Sequence, residues 1–316
     1  MNIYIKSHFS ISSLVDDFNY LEHDVPFSDY AAIEPDYEEL LDVRSMRRLS
    51  KILKMGVFSA LSCLKSINSD EIDGIITGTG LGCTADTLAF LENMISREEH
   101  LLTPTAFIQS THNTLSGTLG IMLKNHGYNM TWSQRYFSFY KALEDGISRI
   151  RQNSGQQYLI VGADEMPEKV EYIIDGMSEC GDQAWTEGAA SFIISKNGQV
   201  GDIQIIDASI KKTAGLKLDK YNTQNTFLVN ANPTLENSIT SLSGINISRL
   251  LGNIFVNDAI ALAFACKLFV ENKFDFNYNR VVCFGGDATN TSIIISKSNN
   301  RCGGLYSALS FFFWHS

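Results

Sequence analysis

The order of apolar and polar positions divides the chain into alternating strand and helix segments. Short apolar runs stand at Asp73–Thr79 (DGIITGT), Tyr158–Ala163 (YLIVGA) and Gly188–Ser195 (GAASFIIS); runs of this length without polar alternation mark strands covered on both faces. Between them, apolar residues recur at helical spacing. From Tyr37 to Ser66 the series Leu40, Leu41, Met46, Leu49, Ile52, Leu53, Val57, Leu61 and Leu64 predicts one long helix or a helix pair. Thr84–Ser96 and Leu115–Leu123 predict two more helices, the second with Ser116, Gly117 and Gly120 for close packing, and Leu102–Ile108 leads up to that second helix. A first strand is expected at Asn2–Ile5, followed by a polar, acidic loop to about Asp36.

The break in pattern at His126–Tyr140 (HGYNMTWSQRYFSFY) organises the rest. A β-prone segment, Tyr128–Trp132, passes through Ser133, Gln134 and Arg135 into a helix that starts near Ser138 and carries Ala142, Leu143 and Ile147 on one face. A strand that turns sharply into a helix can present a nucleophile to unpaired N–H groups and a partial positive charge. The later chain repeats the theme with less material: a strand at Thr226–Asn230, a helix over Asn253–Phe269, a strand at Arg280–Phe284, the turn Gly285-Gly286-Asp287, and Thr291–Ser296 closing a terminal hairpin. The expected fold is α/β with an internal duplication.

Composition narrows the function. The 316 residues are 44% hydrophobic and 19% charged, which predicts a globular chain with a sizeable core. A formal net charge of −10 argues against a nucleic-acid partner, because phosphate neutralisation needs a basic face. The six cysteines form no CxxC and no close histidine pairing, so neither a metal site nor any cofactor is expected, and reduced thiols in a cytoplasmic protein are the better reading. The start, MNIYIKSHFSISSL, does not read as a signal peptide, and no run reaches the length of a membrane span. Leu305–Trp314 is apolar and aromatic, suited to a terminal strand or a partner-facing patch.

Several residues could carry chemistry, and each has a plainer reading. The glycines Gly78, Gly80 and Gly82 lack dinucleotide-fingerprint spacing and read as a tight strand-to-helix turn. His112 stands at a helix entry, more often a cap than a ligand or base. Asp164-Glu165 ends a buried strand, where open α/β sheets place functional groups and where loops are also capped. Arg44, Arg47, Arg48, Lys51 and Lys54 form a solvated face or a docking site for an acidic partner.

Read together, RRLSKILKMGVFSALSCLK (Arg47–Lys65), IITGTGLGCTADTLAFLE (Ile75–Glu92), FIQSTHNTLSG (Phe107–Gly117), GYNMT (Gly127–Thr131), YLIVGADEM (Tyr158–Met166), EGAASFIIS (Glu187–Ser195) and CFGGDATNTSIII (Cys283–Ile295) resemble a β-ketoacyl-acyl-carrier-protein synthase. The likeness is to the short, divergent branch found beside synthases of aryl polyene, flexirubin and dialkylresorcinol type lipids. It implies a thiolase-like fold of two pseudo-repeated βαβαβ-type halves in stacked layers, residues 1–200 and a shortened 201–316. It also implies a cysteine nucleophile at the strand-to-helix turn and two histidines from the second half. In this chain the cysteine position falls on Ser133 or Gln134. No cysteine lies between Cys83 and Cys180, and no histidine between Gly127 and Trp314; Leu251-Gly252-Asn253 stands where the second histidine would.

The resemblance therefore implies a non-catalytic, chain-length-factor-like subunit in fatty acid or polyene biosynthesis. Its partners would be a catalytic β-ketoacyl synthase in a heterodimer, or a second copy, together with acyl carrier protein. Gln134 fits chain-length factors that carry glutamine in place of the cysteine. Pocket or interface residues are expected at His112, Asn113, Thr114, Met130, Arg135, Tyr136, Phe137, Phe284, Gly285 and Gly286, with Phe107–His112 and Tyr128–Trp132 at a subunit interface. Bulky Tyr136, Phe137, Phe139 and Tyr140 fill substrate space, line a tunnel floor or pack the core. Two alternatives remain: an active acyltransferase using a relocated group such as His112 or Cys83, and a structural homodimer that binds acyl chains or carrier protein.

Overall fold

A computed structural model describes residues 2–14, 31–65, 67, 69–100, 102–153, 156–177, 185–199, 202–212, 226–232, 235, 244–271, 278–286 and 289–297. The strands are β1 (Ile3–Ile11), β2 (Gly74–Gly78), β3 (Tyr128–Trp132), β4 (Gln157–Asp164), β5 (Gly188–Ser195), β6 (Ile203–Lys212), β7 (Thr226–Asn230), β8 (Gly244–Asn246), β9 (Arg280–Gly286) and β10 (Thr289–Lys297). The helices are α1 (Val43–Met46), α2 (Lys51–Leu64), α3 (Thr84–Ser96), α4 (Pro104–Gln109), α5 (Thr114–Met122), α6 (Ser138–Gln152), α7 (Glu168–Met177), α8 (Ser248–Leu251) and α9 (Asn257–Val270).

The strands join in the order β3-β2-β4-β5-β1-β6-β10-β9-β7-β8, which repeats itself about its centre. In the first half β2 pairs parallel with β3 and β4, and β5 pairs antiparallel with β4 and β1. In the second half β7 pairs parallel with β8 and β9, and β10 pairs antiparallel with β9 and β6. The halves meet where Ile3, Tyr4 and Ile5 pair antiparallel with Ile205, Gln204 and Ile203, an arrangement symmetric about the Tyr4–Gln204 pair. Even the irregularities correspond: the ladder shifts at Lys6 in β1 and at Ile206 in β6. The duplication expected from the element pattern is thus written into strand order, direction and bulge position.

Strands β2, β4 and β5 are apolar throughout because they are buried on both faces. Ile75, Leu159, Val161 and Ile193 pack with α2, while Ile76, Ile160, Phe192 and Ile194 pack with α6 and α9. Helix α9 touches strands of both halves and also α6, so these two helices share one layer against both half-sheets. Their close approach needs glycine at two places. A Cβ on Gly78 would lie 2.5 Å from the Ser138 carbonyl oxygen, and one on Gly285 would lie 2.3 Å from the Asp258 Cβ.

Helix α3 and strands β3, β5 and β7 occupy the residues the pattern predicts. The series from Tyr37 instead breaks into a 3-10 turn at Tyr37–Glu39, then α1 and α2. Asp42 causes one break, since its carboxylate accepts from the Arg44 and Ser45 N–H groups and restarts the helix. Strand β1 runs on to Ile11, Leu102–Ile108 contributes to helix α4, and α9 starts only at Asn257 because Asn253 is held in a bridge to Trp185, its carbonyl accepting from the Thr186 N–H. The sequence pattern predicts none of β6, β8, α7 and α8; β6 is a strand because it pairs with β1 and β10, and β8 because it pairs with β7. Leu305–Trp314, Asp287, Cys180 and Cys302 lie outside the described residues.

Candidate functional site

Strand β3 ends the sheet and leads into the strand-to-helix turn, and polar contacts pin both of its faces. On one, the Asn129 amide donates to the Ser116 carbonyl (2.8 Å), and the Thr131 hydroxyl meets those of Thr77 (2.9 Å) and Ser116 (2.8 Å). On the other, Tyr128 OH and Trp132 Nε1 donate to Asp145 Oδ2 at 3.0 and 3.2 Å, and Arg149 Nε donates to Asp145 Oδ1 at 3.0 Å. The outer edge of β3 has no strand partner among the described residues, and Met130 on it is 38% exposed.

Beyond Trp132, Ser133, Gln134 and Arg135 are exposed, and a 3-10 turn at Arg135–Phe137 enters α6. The buried Ser138 hydroxyl brackets this elbow: it accepts from the Gln134 N–H (2.8 Å) and donates to the Arg135 carbonyl (2.6 Å). Arg135 takes a left-handed backbone, φ 49. The N-terminus of α6 therefore faces the turn as a nucleophile would require. No thiol or imidazole occupies Ser133–Phe137, and among the described residues Ser133 makes no hydrogen bond to a base.

Tyr136, Trp185 and Phe255 form a buried aromatic cluster with Leu81 and Met166 against it. The Tyr136 and Trp185 rings lie 4.8 and 5.1 Å from Phe255. Asn253, at the expected second-histidine position, is buried; its carbonyl accepts from the Thr186 N–H (2.8 Å) beside a bridge to Trp185. The elbow's 3-10 turn also packs against β9. There Asn257 exchanges hydrogen bonds with the Gly286 backbone (2.8 and 2.9 Å), and the Asn232 amide donates to the Gly285 carbonyl (3.2 Å). The sequence signal for this buried network is asparagine standing at the ends of apolar segments.

The expected site residues separate into two groups. His112, Asn113, Met130 and Arg135 face solvent at least in part, with His112 lying against Gly82. Thr114 is buried and its hydroxyl donates to the Thr111 carbonyl (2.7 Å). Tyr136, Gly285 and Gly286 are interior and Phe137 half-buried, while Phe284 packs with Leu228, Leu235, Val282 and Ile294. A groove of about 520 Å³ between α6 and β6 is lined by Trp132, Tyr140, Arg151 and Ile205 among others, and none of residues 133–137 lines it.

Three buried carboxylates hold the surroundings in place. Asp164 accepts from the Thr79 hydroxyl and from the Gly80 and Leu81 N–H groups (2.7 to 2.9 Å), closing the glycine-rich turn. Burial raises its pKa to about 6 against the pull of those donors. Glu165 accepts from the Ile52 N–H (3.0 Å) at the start of α2, and burial, with Asp86 and Glu187 nearby, raises it to about 7. Asp258 accepts from the Ala259 N–H (3.0 Å) and is raised to about 7, again chiefly by burial. The pair Asp164-Glu165 thus serves loop closure and helix capping. Among the described residues no group of three or more His, Cys, Asp or Glu side chains could hold a metal ion, and no helix is long and apolar enough to cross a membrane.

Residues 28–228 match the family model described as the N-terminal domain of β-ketoacyl synthase, which covers more than half of the chain. The chain belongs to the β-ketoacyl synthase family. Solved structures with the same fold include an acyl-carrier protein of a type II polyketide synthase in complex with its ketosynthase bound to the hexaketide (AntDE:AntF), at 13% identity and TM-score 0.72, covering 94% of this chain and 99% of that one. The ishigamide ketosynthase/chain length factor is similar at 13% identity and TM-score 0.71, covering 95% and 100%. The ketosynthase ApeO in complex with its chain length factor ApeC from Xenorhabdus doucetiae is similar at 15% identity and TM-score 0.60, covering 93% and 99%. No curated protein matches the sequence. This β-ketoacyl synthase homologue accordingly has the thiolase-like fold of ketosynthases.

Proposed function

We propose that this β-ketoacyl synthase homologue is a non-catalytic subunit that pairs with a catalytic synthase, as chain-length factors do, in the assembly of fatty-acyl or polyene chains. One observation carries the reading: the elbow keeps its strand-to-helix geometry while Ser133-Gln134-Arg135 supplies neither thiol nor imidazole. Likeness to solved ketosynthase/chain length factor structures agrees with it. The partner docks along the open edge of β3, with exposed Met130 on that strand and exposed Ile121 on α5, which packs against it. Arg44, Arg47 and Arg48, exposed in a chain of net charge −10, suit an acidic carrier protein. The aromatic cluster at Tyr136, Trp185 and Phe255 fills space behind the elbow, so the acyl chain runs in a tunnel shared with the partner.

An active enzyme using Cys83 is disfavoured, since that thiol is buried and its pKa pushed up to about 12 by burial. Purified chain mixed with acyl-carrier protein and malonyl donor should give no condensation product until a synthase subunit is added; condensation by the chain alone would sink the reading. Met130→Glu should dissociate the complex, and an unchanged mass in light scattering counts against docking along β3.

A further inference from the structure

Among the described residues, four that are not glycine have a left-handed backbone: Glu98, Glu99, Lys124 and Arg135. The first three follow the ends of α3 and α5, where a helix ordinarily stops in that conformation. Arg135 instead stands before a helix, at φ 49, where the Cβ of any residue but glycine is strained against the backbone and asparagine is tolerated best. The Ser138 bracket holds it there, bonding the Gln134 N–H on one side and the Arg135 carbonyl on the other. The strained backbone points no chemistry inward. Arg135 is exposed, and its guanidinium has no ion pair or hydrogen bond among the described residues. Its neighbours Ser133 and Gln134 are neutral, so it is the sole charge on the elbow, beside the open edge of β3.

We propose that Arg135 is an anion-binding residue of the docking face, its guanidinium forming a two-pronged pair with a carboxylate side chain of the partner subunit. The inference rests on the reading that a partner docks along β3. A guanidinium drawn into such an interface without a counter-anion would be strongly unfavourable, and a planar carboxylate matches its paired donors. A protein carboxylate is favoured over a substrate anion because the elbow is continuous with an edge strand and with exposed Met130, surfaces that fit another chain.

The test titrates a purified ketosynthase subunit from the same source against wild-type chain and the variants Arg135→Lys, Arg135→Asn and Arg135→Glu, at low and high salt. Asparagine tolerates the left-handed backbone, so Arg135→Asn should raise the melting temperature of the isolated chain by about 2 °C. The same variant should weaken the complex by about 30-fold or more, mostly through faster dissociation. Arg135→Lys should fall between, and Arg135→Glu should bind least, with a penalty that shrinks in high salt. A partner variant carrying Arg in place of the responsible carboxylate should restore binding to Arg135→Glu. Binding of Arg135→Asn and Arg135→Glu within about twofold of wild type would overturn the proposal while leaving the complex intact. Loss that appears only when malonyl-loaded carrier protein is present would assign the anion to substrate and overturn it too. Failure of the wild-type chain to bind at all removes the docking reading first, and this inference with it.

Discussion

Asp258→Asn offers the sharpest test of how the two central helices are joined. Asp258 lies in the first turn of α9, fully buried against Gly285, with Thr291 and the backbone of Tyr140 beside it. Its Oδ2 and the Thr291 hydroxyl are both buried without a hydrogen bond of normal length among the described residues. Burial lifts its pKa from the ordinary 3.8 to about 7. Between those values the unfolded chain has released its proton while the folded chain keeps it. Stability therefore falls as pH rises through this window, and the whole penalty is present above about pH 7. Three pKa units at about 1.36 kcal/mol each set a ceiling of about 4 kcal/mol. Asparagine cannot ionise, keeps an oxygen for the Ala259 N–H, and offers Thr291 a donor. Urea unfolding followed by circular dichroism should find the variant close to wild type near pH 4 and more stable by up to that ceiling near pH 8. Parallel pH profiles, or a variant less stable than wild type at pH 8, would refute the reasoning. Some downward slope should persist in the variant, because Asp164 and Glu165 are raised in the same direction.

Other perturbations probe the elbow from different sides. Asp145→Ala removes the acceptor shared by Tyr128, Trp132 and Arg149. It should cost about 2 to 3 kcal/mol and speed amide exchange in β3 while α2 stays protected, as hydrogen-exchange mass spectrometry would report. Gly78→Ala drives a methyl to 2.5 Å from the Ser138 carbonyl oxygen and 2.6 Å from the Phe139 Cα, both backbone atoms that cannot turn aside. A loss of about 2 to 3 kcal/mol in chemical denaturation is expected, and a neutral result would mean that α6 can move off the sheet.

Sequence and structure agree most closely where one segment carries its own signal. Ile75-Ile76 and Leu159-Ile160-Val161 are apolar at every position because α2 covers alternate residues on one face and α6 and α9 the others. Thr84–Ser96, with apolar residues at helical spacing, coincides with α3. The elbow was legible too, because β-prone Tyr128–Trp132 and helical Ser138–Ile150 flank it directly. The grouping of the site residues was not. His112 lies against Gly82 at the surface and Phe284 packs with Leu228 and Val282, contacts between segments distant in the chain.

By itself the sequence determined which segments must be buried on two faces, the place where strand becomes helix, and the absence of cysteine and histidine from Ser133–Phe137. These are local properties, set by side-chain periodicity and residue identity. Tertiary structure alone decided that Asp164 closes the glycine-rich turn, that Asp258 of α9 is buried against Gly285 with Oδ2 unbonded, and that Tyr136 meets Phe255 and Trp185. Each of these joins residues far apart in the chain, and burial, which moves the acids' pKa values, exists only once the layers have assembled. The strain at Arg135 belongs to the same class: the residue is plain in the sequence, but its left-handed backbone follows from the Ser138 bracket and the close approach of Gly78 to the first turn of α6.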